Sequence, residues 1–123
     1  MNNFTQILKS VEEGNDFYIL LGDFLDEFYR SDRDKQQSMI FDEPAINDCP
    51  RELLSFVAAS AHKLANDYQL EVPKWVFKKR YYTNEPFFAG NVKGKLRLLF
   101  MYKSPTEFKH RNLFVDENVL KRV

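Results

Sequence analysis

Residues 16–30, with the sequence DFYILLGDFLDEFYR, carry the clearest structural signal in this chain. Their large apolar side chains recur at intervals of three and four residues, at Phe17, Leu20, Leu21, Phe24, Leu25 and Phe28. The charged side chains fall on the opposite side of the same pattern, at Asp23, Asp26, Glu27 and Arg30. One apolar and one charged face are typical of a helix that packs on a core. The stretch therefore predicts an amphipathic α-helix.

One further helix is predicted on each side of this stretch. Upstream, apolar positions from Phe4 to Val11 follow helical spacing, with Asn3 as the expected N-cap and Gly14 as the expected C-terminal cap. Downstream, Pro50 is expected at the first position of a longer helix. The buried stripe of that helix is predicted to comprise Leu53, Leu54, Val57, Ala61, Leu64, Ala65 and Tyr68.

The remaining segments give weaker signals. Residues 31–49 mix charged, amide and proline residues without sustained periodicity, so we expect a connecting loop with at most one helical turn. Residues 72–94 are basic and aromatic, and their sequence leaves the structure open. Residues 95–103 fit a strand or a helix, and we favour a helix because no second clear strand is available to pair with it.

The C-terminal residues contain two signals for the start of a helix or turn. Residues 104–107, SPTE, predict a capping box in which Ser104 is the N-cap and Glu107 occupies the third helical position. Residues 116–118 predict the start of a terminal turn that carries Val119, Leu120 and Val123.

The composition supports one domain. The chain has 123 residues, of which 44% are hydrophobic and 15% aromatic, and this is enough apolar material for one core. We therefore expect an all-α fold, a single compact domain over residues 1–123 with about five helices and long irregular connections. No stretch approaches the ~20 apolar residues needed to cross a bilayer, and the N-terminus lacks a signal-peptide pattern. We expect a cytoplasmic protein with no membrane association.

Charge is divided by position along the chain. Residues 1–71 contain 14 acids and 6 bases, a net charge of −8, whereas residues 72–123 contain 4 acids and 12 bases, a net charge of +8. The zero total therefore combines an acidic half with a basic, aromatic half. Such asymmetry indicates what a surface attracts and carries no information about catalysis.

The sequence contains no pattern typical of a catalytic or metal site. The acidic residues of the second helix and the segment after it lack the spacing and the glycine of a calcium loop, so we interpret them as a solvated acidic face. His62 has no ligating side chain three or four residues away, which predicts a boundary histidine. The single cysteine, Cys49, cannot form an internal disulfide. We expect no cofactor, no metal and no enzymatic activity.

Two basic clusters beside aromatic residues are the best functional signal. The residues that we expect to contact a partner are Lys78, Lys79, Arg80, Lys109, His110, Arg111 and Asn112. Such composition is typical of protein interfaces and also of surfaces that bind single-stranded nucleic acid. It arises equally where the aromatics are core and the lysines are ordinary surface charge. Zero net charge weighs against nucleic acid, because proteins that bind the phosphate backbone usually carry excess positive charge.

The C-terminal part of the chain resembles a known group of proteins. The resemblance rests on residues 104–116, SPTEFKHRNLFVD, on residues 120–123, and on residues 53–88 with AHKLA, VPKW and EPFF. These are similar to an uncharacterised family of small bacterial proteins. Related segments form the C-terminal part of some helix-turn-helix regulators and occur in small proteins encoded beside nucleotidyltransferase-like genes, an arrangement typical of toxin and antitoxin pairs. The resemblance implies a bacterial partner-binding module and assigns no catalytic residue.

Residues 1–49 depart from the regulator form. They are acidic and contain no basic recognition helix, so DNA binding by the helix-turn-helix route is not expected. We therefore interpret the chain as a non-enzymatic protein-interaction module, the antitoxin-like or regulatory partner of a neighbouring enzyme. The alternative is single-stranded nucleic-acid binding through the basic, aromatic half.

Three other interpretations stay open. The first is a homodimer in which the acidic half of one copy meets the basic half of another. The second is a hydrolase or transferase that uses carboxylates of the second helix. In the third, the two halves satisfy each other's charge inside one fold.

Overall fold

Six α-helices, two 3-10 turns and one very small sheet form the part of the chain that the structure describes, residues 3–46, 49–90 and 92–121. The structure is a computed structural model. The helices are α1 (Phe4–Glu12), α2 (Phe17–Arg30), α3 (Arg33–Phe41), α4 (Arg51–Asp67), α5 (Lys95–Lys103) and α6 (Thr106–Lys109). The 3-10 turns are Lys74–Phe77 and Lys79–Tyr81, and the strands β1 (Phe87–Phe88) and β2 (Leu113–Phe114) pair in parallel. The predicted all-α, single compact domain is confirmed.

The first helix has the caps that its sequence predicts, whereas Asp16, which the sequence placed inside the second helix, is the N-cap of that helix. The side chain of Asn3 accepts a hydrogen bond from the backbone N–H of Gln6 at 2.8 Å, which satisfies one free donor at the start of α1. Gly14 follows the end of α1 with φ +100°, a conformation that side chains other than glycine rarely adopt. Asp16 caps α2 by accepting from Tyr18 at 2.8 Å. These local signals explain why the two helices could be predicted.

Helix α3 shows that the predicted loop over residues 31–49 is wrong for its first part. The side chain of Asp32 caps the helix. Gln37 exchanges two hydrogen bonds with the backbone of Glu71, at 2.9 and 2.7 Å. Because partners distant in sequence stabilise α3, its own sequence needs no regular apolar spacing. Of residues 31–49, Asn47 and Asp48 lie outside the described residues.

Helix α4 is the centre of the core. Residues 54–61 are all buried, as expected for a helix surrounded by other elements. The helix packs against both 3-10 turns and α6. Five of the seven predicted stripe residues are buried, but Tyr68 is exposed because the helix ends at Asp67. The helix begins at Arg51, one residue later than predicted, so Pro50 is its N-cap and not its first residue.

The first part of the basic half packs against the acidic half. The indole Nε1–H of Trp75 donates to the carbonyls of Ile40 and Phe41 at 3.3 and 3.1 Å, at the end of α3. These carbonyls have no partner within their own helix, so the indole completes the hydrogen bonding of the α3 end. This contact joins the first 3-10 turn to the N-terminal half of the molecule.

Hydrogen bonds from strand β2 and from Val115, directly after it, hold the residues on either side of residues 92–103, a segment that we call the α5 arm. At one end, the backbone N–H of Ala89 donates to the carbonyl of Phe114 at 3.0 Å. At the other end, the backbone N–H of Val115 donates to Ser104 Oγ at 2.8 Å. The arm contains helix α5, so the predicted helix over residues 95–103 is confirmed.

The predicted capping box at residues 104–107 is wrong. Pro105 is the N-cap of α6, and no side chain caps the helix. The hydroxyl of Ser104 is buried and bonded to Val115, so it does not reach the N–H of Glu107. The terminal turn is present, since Asp116 Oδ1 accepts from the backbone N–H of Asn118 at 2.8 Å. Val123, which we expected to pack from that turn, lies outside the described residues.

Replacing the buried hydroxyl of Ser104 tests the anchoring of the α5 arm. We expect Ser104→Ala to lower the free energy of unfolding by about 1–3 kcal/mol, because it leaves the N–H of Val115 buried without an acceptor. Urea denaturation measures the change. The exposed Ser38 bonds only locally to Lys35, so Ser38→Ala should stay within about 0.5 kcal/mol of the wild type. Equal effects of the two substitutions would contradict the anchoring role.

Candidate functional site

The seven predicted contact residues divide into exposed and buried side chains. Lys78, Lys79, Lys109 and His110 are exposed, and Arg80 and Asn112 are half-buried. Arg111 is buried, with only 1% of its surface exposed. The basic clusters of the sequence are therefore not equivalent, and each needs a separate interpretation.

The first cluster is largely engaged with the acidic half. Lys78 forms an ion pair with Glu43 at 2.7 Å, and the hydroxyl of Tyr81 donates to the other oxygen of the same carboxylate at 2.7 Å. Although burial opposes it, these hydrogen bonds hold the pKa of Glu43 below its usual value. Arg80 donates to the carbonyl of Ile46 at 2.6 Å. At this point the two halves do satisfy each other's charge.

The second cluster contains Arg111, whose buried guanidinium makes hydrogen bonds to several separate parts of the chain. The guanidinium of Arg111 donates to the carbonyls of Glu107 and Val76 at 2.9 and 2.8 Å, and it lies 3.3 Å from Nδ1 of His62. It also lies 4.7 Å from the centre of the Tyr82 ring, in cation–π contact. The structure places Arg111, a predicted contact residue, in the interior, where these internal bonds hold its side chain.

Asn112 is structural as well. Its backbone is left-handed, with φ +62°, which asparagine tolerates better than most residues. Its side-chain amide donates to the carbonyl of Thr83 at 3.1 Å, and its own carbonyl accepts from the N–H of Phe87 at 2.8 Å. The residue turns the chain from α6 into β2 and binds it to the start of β1.

A cleft of about 320 Å³ lies beside Arg111 and is lined by both histidines of the chain. Two aromatic residues, Phe77 and Tyr82, form part of its wall. Its polar lining consists of His62, Asn66, Thr106, Glu107, His110 and Arg111. The sequence identified His110 and Arg111 but did not place them beside His62, because His62 belongs to α4 and lies far away along the chain.

The charged groups of the cleft shift one another's pKa values. Burial, reinforced by the nearby Arg111 cation, lowers the pKa of His62 below its ordinary value. Asn66 donates to the carboxylate of Glu107 at 2.8 Å. Burial opposes ionisation of this carboxylate, but its hydrogen bonds and the nearby Lys63 lower the pKa of Glu107. At neutral pH, the cleft therefore contains a neutral imidazole between a buried cation and a carboxylate.

The acidic residues singled out in the sequence do not gather at this cleft. In the described parts of the chain, no three His, Cys, Asp or Glu side chains come close enough together to hold a metal ion. Glu27 forms an ion pair with Lys35 at 3.1 Å.

Helix α5 exposes apolar side chains without burying any residue. Its exposed large apolar residues are Leu96, Leu98, Leu99, Met101 and Tyr102. Lys95, Arg97 and Lys103 are exposed beside them, and no acid occurs between Pro86 and Thr106. This surface was not predicted from the sequence. The signal in the sequence that could have revealed it is the apolar run of residues 96–102, which as a helix has no continuous polar face.

Two basic residues connect α5 to the rest of the molecule. The guanidinium of Arg97 lies 4.4 Å from the centre of the Phe88 ring in β1. Lys109 donates to the carbonyl of Tyr102 at 2.7 Å and lies 5.9 Å from the centre of its ring. The exposed helix is thus continuous with the part of the second basic cluster that remains at the surface.

Comparisons of this chain with protein-family models, curated proteins and solved structures find no match. Within the described ranges, no helix combines the length and the apolar character needed to cross a membrane. The two surfaces described above, the cleft and helix α5, are therefore interpreted from their geometry.

The lowered pKa of His62 predicts a specific dependence of stability on pH. An unfolded histidine titrates near pH ~6.5, so the unfolded chain binds more protons than the folded chain between that pH and the lower folded pKa. We expect the free energy of unfolding to fall as pH drops through this window, and His62→Gln to reduce the fall. Urea denaturation from about pH 7.5 to about pH 5.5 measures it.

His110 supplies the matched control for this experiment. It borders the same cleft but is exposed, and its effect on His62 is smaller than those of burial, Arg111 and Glu107, so His110→Gln should retain most of the dependence of the wild type. An unchanged pH dependence in His62→Gln would show that His62 is not the responsible group.

Proposed function

We propose that this chain is a non-enzymatic protein-interaction module that places helix α5 into an apolar groove with a carboxylate rim on another protein. One observation carries the proposal: five large apolar side chains of a nine-residue helix are exposed. A helix that is apolar all round is normally buried, and a contiguous exposed apolar surface marks a docking site.

The two most exposed apolar residues of α5, Leu98 and Tyr102, lie on one face together with Met101. Leu98, Met101 and Tyr102 are three and four positions apart, so they lie on one side of the helix. Leu98 is 66% exposed and Tyr102 is 80% exposed, whereas Phe100 on another side is half-buried. This spacing is typical of a helix that inserts its anchors into a groove.

The charge around α5 specifies the rim of the groove. The four charged residues between Pro86 and Thr106 are all basic, Lys93, Lys95, Arg97 and Lys103, and Lys109 lies against Tyr102. Complementary acidic groups on the partner would accelerate association and orient the helix. The resemblance of residues 50–123 to antitoxin-like proteins supports an enzyme of the nucleotidyltransferase-like kind, encoded nearby, as that partner.

A protein fits these surfaces better than single-stranded nucleic acid does. Nucleic-acid bases stack on exposed rings. Beside the two basic clusters, Tyr81 and Phe108 are fully buried and Tyr82 lies under the guanidinium of Arg111, whereas Phe77 is 54% exposed. Tyr102 is the exposed aromatic ring of α5, and aliphatic side chains accompany it.

Two substitutions at equally exposed apolar residues test the proposal. Leu98 on α5 is 66% exposed and Ile19 on α2 is 68% exposed, so Leu98→Ser and Ile19→Ser remove similar surface without disturbing the core. We expect Leu98→Ser to weaken binding to the product of the neighbouring gene at least tenfold, because an apolar anchor contributes about 1.5–3 kcal/mol. Ile19→Ser should bind as the wild type does. Titration calorimetry with the purified proteins measures both.

Other outcomes would assign α5 differently. Salt-dependent binding of short oligonucleotides that Leu98→Ser weakens would contradict protein docking and support nucleic acid. A dimer of this chain in light scattering that Leu98→Ser abolishes would make a second copy the occupant. Equal loss of partner binding in Ile19→Ser would also contradict a role specific to α5.

A further inference from the structure

Arg111 is a buried cation that forms no ion pair among the described residues, although the negative charge of Glu107 acts on it. It is the largest fully buried side chain of the described residues, and their ion pairs, Lys35 with Glu27, Lys63 with Asp67 and Lys78 with Glu43, do not include it. Its hydrogen bonds go to two backbone carbonyls and one imidazole, which are neutral acceptors. Its Nε is buried without a hydrogen-bond partner. A buried charge is expensive unless an opposite charge compensates it.

The same guanidinium determines how His62 faces the cleft. A guanidinium only donates hydrogen bonds, so Nδ1 of His62 must accept from Arg111 and must carry no proton. The proton of the neutral ring then resides on Nε2, which becomes a donor for a bound molecule. Contact with the cation polarises this N–H bond and makes it a stronger donor.

We propose that the cleft binds the oxyanion group of a small ligand, a phosphate or a carboxylate, with His62 Nε2 as a donor and Arg111 as the compensating charge. His110 and Thr106 line the same cleft and supply further donors to the anion. The volume of about 320 Å³ accommodates a small metabolite.

Glu107 restricts the kind of molecule that can bind. Its carboxylate also lines the cleft and is bonded to Asn66, so it repels a second anionic group close to it. A ligand that places its oxyanion beside His62 and a hydroxyl or amino donor beside Glu107 satisfies both ends. The aromatic rings of Phe77 and Tyr82 provide the apolar part of the wall.

The imidazole signals of the full chain provide the test. We would titrate the protein with inorganic phosphate and, separately, with acetate, while sodium chloride keeps the ionic strength constant. We expect one or both anions to shift the nitrogen resonances of His62 saturably and to raise its pKa by about one unit, which corresponds to tenfold tighter binding to the protonated ring. The charged groups that also act on His62 are Arg111, Glu107 and His110, and Lys63, the next residue on the same helix, acts on Glu107. Comparing the two anions identifies the source of the oxyanion.

Two variants connect binding to this cleft. His62→Gln should weaken binding of the active anion about tenfold. Lys79→Gln, which removes an exposed base that is not among the residues of the cleft wall, should change it less than about twofold. The proposal fails if neither anion produces a saturable shift, if chloride alone produces the same shift, or if His62→Gln binds as tightly as the wild type. These outcomes are independent of α5, so they leave the proposed docking function untouched.

Discussion

The buried guanidinium of Arg111 joins three parts of the chain, each through a hydrogen bond of its own. It reaches α4 through His62, the first 3-10 turn through the carbonyl of Val76, and α6 through the carbonyl of Glu107. Its own backbone carbonyl accepts from the hydroxyl of Thr83 at 2.8 Å. These hydrogen bonds position α6, because the segments around it have few regular backbone hydrogen bonds of their own. Helix α6 in turn forms one wall of the cleft.

Helices α1 and α2 could be predicted because the signals that define them lie within their own sequences. Helices α1 and α2 have local caps and regular apolar spacing, so periodicity and capping rules suffice for them. Helix α3 depends on Gln37 and Trp75, whose partners lie more than thirty residues away. The N-cap predicted at Ser104 is absent for a related reason. Its hydroxyl accepts a hydrogen bond from the backbone N–H of Val115, which lies outside the helix, and does not cap α6. Local patterns cannot reveal which distant group competes for a side chain.

The candidate sites show the same limit. The sequence named His110 and Arg111 as functional, but the burial of Arg111 and its contact with His62, 49 residues earlier, follow only from the fold. The charge asymmetry resolves into two parts. Near Glu43 the basic half neutralises the acidic half, whereas the bases around α5 face outward. Net charge by segment could not distinguish these outcomes, because it does not specify which residues meet.

The α5 arm leaves and rejoins the core at adjacent residues of the chain, Phe114 and Val115, which hold Ala89 and Ser104. The side chains of α5 contribute none of the buried residues of the core. Substitutions of the exposed apolar side chains of α5 are therefore expected to be nearly neutral for folding, while substitutions at the anchors are not. In an evolving lineage, selection can thus change which molecule is recognised through a few codons of the arm, without compensating changes elsewhere in the gene.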